Sequence, residues 1–160
     1  MKTSAGILAF RVTNEVEVFL VHPGGPFFKN KDEGVWSIPK GEYTGNEEAF
    51  LAAKREFLEE TGHELQGTFF ELETVKQKGG KEVKAWAIEQ EIDTSRFVSN
   101  TFNVEWPPRS GRFQTFREVD KAEWFTLPVA KLKINIAQAA FLDQLATHLS
   151  GRLPVSNVVG

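Results

Sequence analysis

The chain contains no cysteine. That absence excludes disulfides, thiolate zinc centres and cysteine nucleophiles, and it fits a reducing, cytoplasmic setting. Histidine is scarce, and the three present, His22, His63 and His148, are scattered, so a histidine-ligated metal is not expected. Positive charge is not in surplus: 19 Lys and Arg stand against 22 Asp and Glu, for a net charge of −3. With no basic stripe visible, a nucleic-acid polymer is not the expected partner. Long apolar runs are missing as well. Ahead of the first polar break the chain offers only Ala5 to Phe10, too short for a signal peptide or a membrane span. There are no repeats and no low-complexity segments.

What remains is the composition of an ordinary globular protein, 41% hydrophobic and 26% charged over 160 residues. The expected organisation is one domain over residues 1–152 and a loose tail over 153–160. Ser4 to Val12 and Glu17 to His22 read as a hairpin of apolar strands, followed by a Pro23-Gly24-Gly25-Pro26 loop. Trp36 to Pro39 reads as a short strand. Thr68 to Lys78 and Glu82 to Glu91 flank Gly79-Gly80, a long hairpin signal. Ser99 to Glu105 is a further strand, stopped by Pro107-Pro108, and Glu123 to Thr126 is a short one. Leu127-Pro128 opens a turn of helix. Ile134 to Leu149 carries Ile136, Ala140, Leu145 and Leu149 at helical spacing.

The most informative stretch is residues 41–62. Asn46 is a plausible N-cap, Glu47 and Glu48 suit a first helical turn, and Gly62 suits the left-handed position that ends a helix. On that helix Phe50, Leu51, Phe57 and Leu58 form the expected buried stripe, with Arg55, Glu56, Glu59 and Glu60 on another face. At about 100° per residue, Glu59 lies about 60° to one side of Glu56 and Glu60 about 40° to the other. Like charges that close repel. A hard, oxygen-preferring cation such as Mg²⁺ resolves the conflict. A Glu-rich helix by itself more often presents a solvated face, so the frame around it decides.

Gly41, Glu47, Arg55, Glu56, Glu59, Glu60 and Gly62 fit Gly-x5-Glu-x7-Arg-Glu-(apolar)-x-Glu-Glu-x-Gly, with Phe57 at the apolar position. Seven fixed positions, each at a background of about 6–7%, coincide in a chain this short with a probability on the order of one in a million. The pattern resembles the signature of the Nudix hydrolases. One position departs: an apolar residue is usual after Gly62, and here it is His63. The resemblance implies an α/β fold, a Nudix-type α/β/α sandwich with a mixed central sheet. It implies a hydrolase that splits a diphosphate linkage in a nucleoside diphosphate derivative, with Mg²⁺ as cofactor and Mn²⁺ as a possible substitute. By the same resemblance Glu56, Glu59 and Glu60 hold the metal, the Lys40 carbonyl adds a ligand, and Arg55 orients the carboxylates. Glu47 either binds metal through water or merely favours the helix N-terminus. Several Nudix subfamilies place a fourth carboxylate six residues before a tryptophan. Glu118 stands so before Trp124, and is the candidate general base or additional ligand. Glu56 is the alternative base.

Substrate choice is less legible. Trp36-Ser37-Ile38-Pro39-Lys40-Gly41 is similar to the entry segment of diadenosine tetraphosphate hydrolases, whose lysine also precedes the motif glycine. The tyrosine those enzymes tend to carry beyond the motif is missing, with Gly79, Gly80 and Lys81 in its place and Tyr43 the single tyrosine. The proline of many ADP-ribose pyrophosphatases is missing too. Two segments are candidates for the substrate pocket. One is His22 to Phe28, read either as a plain turn or as a lid. The other is Glu105 to Arg112, where Arg109 and Arg112 around a rigid Pro-Pro turn would clamp terminal phosphates and Trp106 would stack on a base, with Lys40 as a further substrate contact. The segment from Glu105 to Gly111 also resembles a mostly bacterial Nudix subgroup, which supplies no substrate. The expected partner is a small nucleotide, a dinucleoside polyphosphate or a noncanonical or oxidised nucleoside triphosphate. The protein is expected to act without a membrane, as monomer or homodimer. The competing class is a nucleotide-binding module of the same fold without turnover.

Overall fold

The computed structural model describes residues 2–152, so the expected tail at 153–160 lies outside the described residues. The strands are β1 (Thr3–Val12), β2 (Val16–Pro23), β3 (Lys40–Glu42), β4 (Phe69–Glu71), β5 (Val75–Lys76), β6 (Glu82–Glu89), β7 (Thr101–Glu105), β8 (Phe113–Arg117) and β9 (Val119–Thr126). The helices are α1 (Ala49–Thr61), α2 (Leu127–Lys133) and α3 (Ala139–Arg152), with a 3₁₀ turn at Ile136–Gln138 before the last.

The main sheet runs β4-β6-β1-β2-β9, with β3 added on β1 and β5 on β6, and it is mixed because β1 pairs parallel to β6 and antiparallel to β2. From Ala5 to Phe10 every apolar residue of β1 is buried, which requires cover on both faces. Alternation divides them. Ala5, Ile7 and Ala9, with Phe19 and Val21 of β2, pack under Ala52, Ala53 and Phe57 of α1. Leu8 and Phe10, with Val18 and Leu20, pack against Ala130 of α2 and Phe141, Leu142, Leu145 and Leu149 of α3. The result is the expected α/β/α sandwich.

The feature that positions the site is a split between β1 and β2. They pair at Phe10–Val12, and beyond that the segment from Ser37 to Glu42 is wedged between them. Ser37 bridges to Val21 of β2, and Lys40–Glu42 pairs with Gly6–Ser4 of β1. Gly6 makes room, since a Cβ there would lie 2.6 Å from the Pro39 carbonyl oxygen.

Several sequence expectations shift. The strand expected at 36–39 forms instead at Lys40–Glu42, because Trp36 is recruited to a bridge with Ile134. The strand expected over 68–78 divides into β4 and β5 around Leu72, whose N–H bonds to Ala85 across the break. Beyond Pro107-Pro108 the chain returns as β8 and makes a separate two-stranded sheet with β7. The final helix starts later than the spacing predicts, since Asn135 caps a 3₁₀ turn. This leaves Ile136 89% exposed, with Phe141 and Leu142 buried in its stead.

Candidate active site

Helix α1 begins at Ala49, later than the Asn46 cap predicts. Glu48 is its extended N-cap, with no side-chain capping bond. Glu47 is drawn off the helix by Arg55, as described below. Gly62 ends the helix at φ 79°, and its N–H bonds to the Leu58 carbonyl. The buried face is Ala52, Ala53, Phe57 and Thr61: of the stripe the sequence predicts, Phe57 is buried and Phe50 partly so, while Leu51 is 55% and Leu58 42% exposed. The small side chains bring α1 close to the sheet. A Cβ on Gly41 would lie 2.0 Å from Glu56 Oε1, so the missing side chain of Gly41 is the space the Glu56 carboxylate occupies.

Arg55 joins three carboxylates. Its Nε and Nη2 donate to the two oxygens of Glu47 at 2.7 and 2.8 Å, and its Nη1 donates to Glu56 Oε2 and Glu59 Oε2, each at 2.8 Å. The Glu47 contact is bidentate, the geometry a planar guanidinium favours. Glu60 turns the other way and accepts the Lys40 backbone N–H at 3.3 Å. Among the described residues no three His, Asp or Glu side chains stand together as a ready-made metal cage. Arg55 supplies positive charge between Glu56 and Glu59.

Glu118 arrives from the β8–β9 junction, tied to α1 through backbone. The Asn100 N–H donates to the Glu59 carbonyl, the Glu118 N–H to the Asn100 carbonyl, and the Gly24 N–H to the Glu118 carbonyl, each at 2.8 Å. The buried Ser99 accepts the Val119 N–H on its Oγ at 2.9 Å. Ser99 and Asn100 carry no motif signal; only the fold reveals them as the clamp. Glu118 then lines a small cleft of about 170 Å³ with Lys40, Glu60 and Ser37.

Charge in this cleft is strained by burial. Desolvation, with Glu118 and Glu56 adding repulsion, pushes the Glu60 carboxyl up to about 8. Burial raises Glu56 against the opposing pull of Arg55, and burial with Glu59 nearby raises Glu118. Burial also lowers the Lys40 ammonium. The Arg55 hydrogen bonds hold Glu47 below the usual carboxylate range, and Glu47 in turn raises Arg55. Four carboxylates, Glu56, Glu59, Glu60 and Glu118, thus face one region with Arg55 and Lys40 as cations. All-oxygen donors in surplus negative charge, and a carboxylate cradled on Gly41, fit a hard divalent cation.

The two candidate substrate segments meet. Gly25, Pro26, Lys29 and Asn30 of the loop after β2 face Trp106, Gln114, Phe116 and Arg117 of the β7–β8 hairpin across a cavity of about 700 Å³. Phe27 packs edge-on to Trp106, ring centroids 5.3 Å apart. Beneath the loop the buried His22 ring donates from Nε2 to the Lys31 carbonyl at 2.7 Å and meets Asp120 through Nδ1 at 2.8 Å. Arg109 and Arg112 stand exposed at the hairpin turn and do not line the cavity. Lys29 and Arg117 do, and neither stands in a motif or a periodic pattern that marks it.

A family model described as NUDIX domain matches residues 2–145. No curated protein matches at the level of sequence. Among solved structures, a C. elegans Ap4A hydrolase binary complex superposes with a TM-score of 0.63 at 22% identity, covering 94% of this chain and 99% of that one. The NUDIX domain of Shewanella oneidensis NrtR complexed with ADP ribose gives 0.61 at 16% identity, covering 92% and 87%. The C-terminal domain of mouse MUTYH, solved with human PCNA, gives 0.61 at 14% identity, covering 94% and 90%. At these identities the likeness is one of fold.

Proposed function

This chain belongs to the Nudix family, and from that membership we propose that it cleaves a dinucleoside polyphosphate or a noncanonical or oxidised nucleoside triphosphate, with Mg²⁺ held by the acids of α1. It is a hydrolase of pyrophosphate bonds in nucleotide derivatives. The proposal concerns which derivative, and which residues act. The observation that carries it is the carboxylate set joined by Arg55 and faced by Glu118.

Glu56, Glu59 and Glu60 and the Lys40 carbonyl would hold Mg²⁺, or Mn²⁺ in its place, with Glu118 as an additional ligand where it does not serve as the base. When bound, the metal supplies positive charge to the bridging phosphates and makes its water more acidic. Glu56 and Glu59, which Arg55 engages here, would be the groups offered to the metal, while the bidentate Glu47 pair would keep the guanidinium in place. Arg55 thereby orients the carboxylates. Glu118 takes the proton of the attacking water, its carboxyl raised by burial toward the working pH. Glu56 is the alternative base. The Lys40 side chain, half-buried at the cleft, and Trp106, at the larger cavity, contact the substrate.

The test is a panel of nucleoside diphosphate derivatives incubated with purified protein and Mg²⁺, with products resolved by chromatography. Hydrolysis is expected to be fastest for dinucleoside polyphosphates or for an oxidised triphosphate. Glu118→Gln is expected to lower kcat by about 10²–10⁴-fold. Full activity in that variant assigns the base to Glu56. The second reading is a nucleotide-binding module without turnover, which the presence of all three acids, Glu56, Glu59 and Glu60, counts against. Binding from the panel without release of any product selects it.

A further inference from the structure

Resting on the pyrophosphohydrolase reading, we infer that the cavity between the loop after β2 and the β7–β8 hairpin seats a nucleoside 5′-phosphate moiety of the substrate, with Lys29 and Arg117 as the residues that select its phosphate. The cavity, about 700 Å³, falls in the range of small-molecule sites. Its walls combine an aromatic platform, hydrogen-bonding amides and cations, the three chemistries a phosphorylated nucleoside needs.

The platform is Trp106, held by its edge-on contact with Phe27. The amides are Asn30 and Gln114. Gln114 spends its Nε2 on the Trp106 carbonyl, 3.0 Å away, which leaves its side-chain oxygen to accept from a base. The cations lack an acid. Lys29 makes no ion pair among the described residues, in a protein with more acids than bases. Arg117 lies over the Phe97 ring, 5.5 Å from its centroid, and among the described residues its guanidinium donates to the Asp120 carbonyl alone, at 3.4 Å. The one carboxylate on the wall, Asp120, is engaged by His22. Two cations therefore face the cavity without a carboxylate partner of their own.

The cavity also adjoins the acid cleft. Arg117 lines the cavity, while the next residue, Glu118, lines the cleft with Lys40 and Glu60. On the loop side, Pro23 lines the cleft and Gly25 the cavity. At Gly24 the loop and the hairpin close on each other, since a Cβ there would lie 1.9 Å from the Arg117 carbonyl oxygen. The two sites share this backbone, and a nucleoside phosphate in the cavity would send its phosphate chain past it toward the carboxylates. The cleft, lined by Val21, Pro23, Ile38 and Val119 with Ser37, Lys40, Glu60 and Glu118, has no ring or amide for a base. Recognition of the nucleoside falls to the cavity.

The full chain, kept metal-free with chelator, is titrated with the four common ribonucleoside 5′-monophosphates and with the matching unphosphorylated nucleosides. The signal is the Trp106 indole N–H resonance. At least one monophosphate is expected to move it. Lys29→Ala and Arg117→Ala are each expected to weaken that monophosphate by about tenfold and leave the nucleoside unchanged. In the Mg²⁺ assay Lys29→Ala is expected to raise KM by a similar factor at unchanged kcat. The inference is overturned if no monophosphate moves Trp106, or if both variants bind as the parent does. Lysine-sensitive binding without turnover of any substrate keeps the cavity assignment and removes the hydrolase reading. Turnover with a KM indifferent to Lys29 and Arg117 does the reverse.

Discussion

At Gly41 the absence of a single carbon sets the position of a carboxylate. Glu56 Oε1 occupies the place of the missing Cβ, so Gly41→Ala is expected to push Glu56 out while leaving the fold intact. A displacement on that scale costs on the order of 10²-fold in kcat. Circular dichroism checks that the fold survives, and steady-state kinetics measure the loss. Glu60 carries the second residue-scale consequence. Its carboxyl titrates near 8 in the folded protein against an ordinary value of 4.5. Between those values the folded chain keeps a proton that the unfolded chain has released. The metal-free protein therefore loses stability as pH rises from about 4.5 to about 8 and levels off above that, by on the order of 1 kcal/mol per pH unit from this group. Glu56 and Glu118, also raised, act with the same sign. Glu60→Gln is expected to flatten the slope and stabilise the metal-free protein at pH 8, read as Tm against pH. Under the proposed assignment Mg²⁺ would displace the same proton, so its affinity is expected to tighten from pH 6.5 to 8.5. Titration calorimetry in buffers of different ionisation enthalpy counts the released proton.

At the scale of elements, α1 and the β8–β9 junction must be held in register, and Ser99 is the peg. Ser99→Ala leaves the buried Val119 N–H without its acceptor, a cost of about 1–3 kcal/mol. It is expected to lower Tm and, by loosening Glu118, to lower kcat more than KM. A variant with the parent's kcat at reduced Tm would detach Ser99 from the chemistry. The contrast between Ser99 and α1 shows what a sequence exposes. The motif at 41–62 is local, and its glycines act where they stand, at the Glu56 cradle and at the left-handed turn of Gly62. Ser99 and Asn100 act through contacts with residues about 20 to 40 positions away, which leave no periodicity. The α1 stripe is half legible for a similar reason: Phe57 is buried as its pattern predicts, but close approach to the sheet selects Ala52 and Ala53 where hydrophobicity points to Leu51 and Leu58. The second strand of the β7–β8 hairpin was missed because β8 is largely exposed, with Phe113 70% accessible, and has no buried face to mark it.

At the scale of the whole molecule, the sandwich concentrates negative charge at the point where β1 and β2 part. Helix α1 lies on one face, α2 and α3 on the other, and the wedge from Ser37 to Glu42 delivers Lys40 and Gly41 under the acids. Among the described residues no helix is long and apolar enough to cross a membrane. The acid cleft and the larger cavity open on either side of one junction, at Gly24 and Glu118. The proposed catalysis by the α1 acids and the proposed recognition by the loop and hairpin thus fall on neighbouring surfaces, which variants in each can address independently.

The central claim is that the acids of α1 hold the metal that drives pyrophosphate hydrolysis. It is tested most directly by the initial rate on the best substrate of the nucleotide panel, measured across a Mg²⁺ titration for the parent and for Glu59→Gln. The parent is expected to show saturable Mg²⁺ dependence that chelator abolishes, and the variant to fall by at least about 10²-fold. A parent rate untouched by chelator, or a Glu59→Gln rate equal to the parent's, would contradict it.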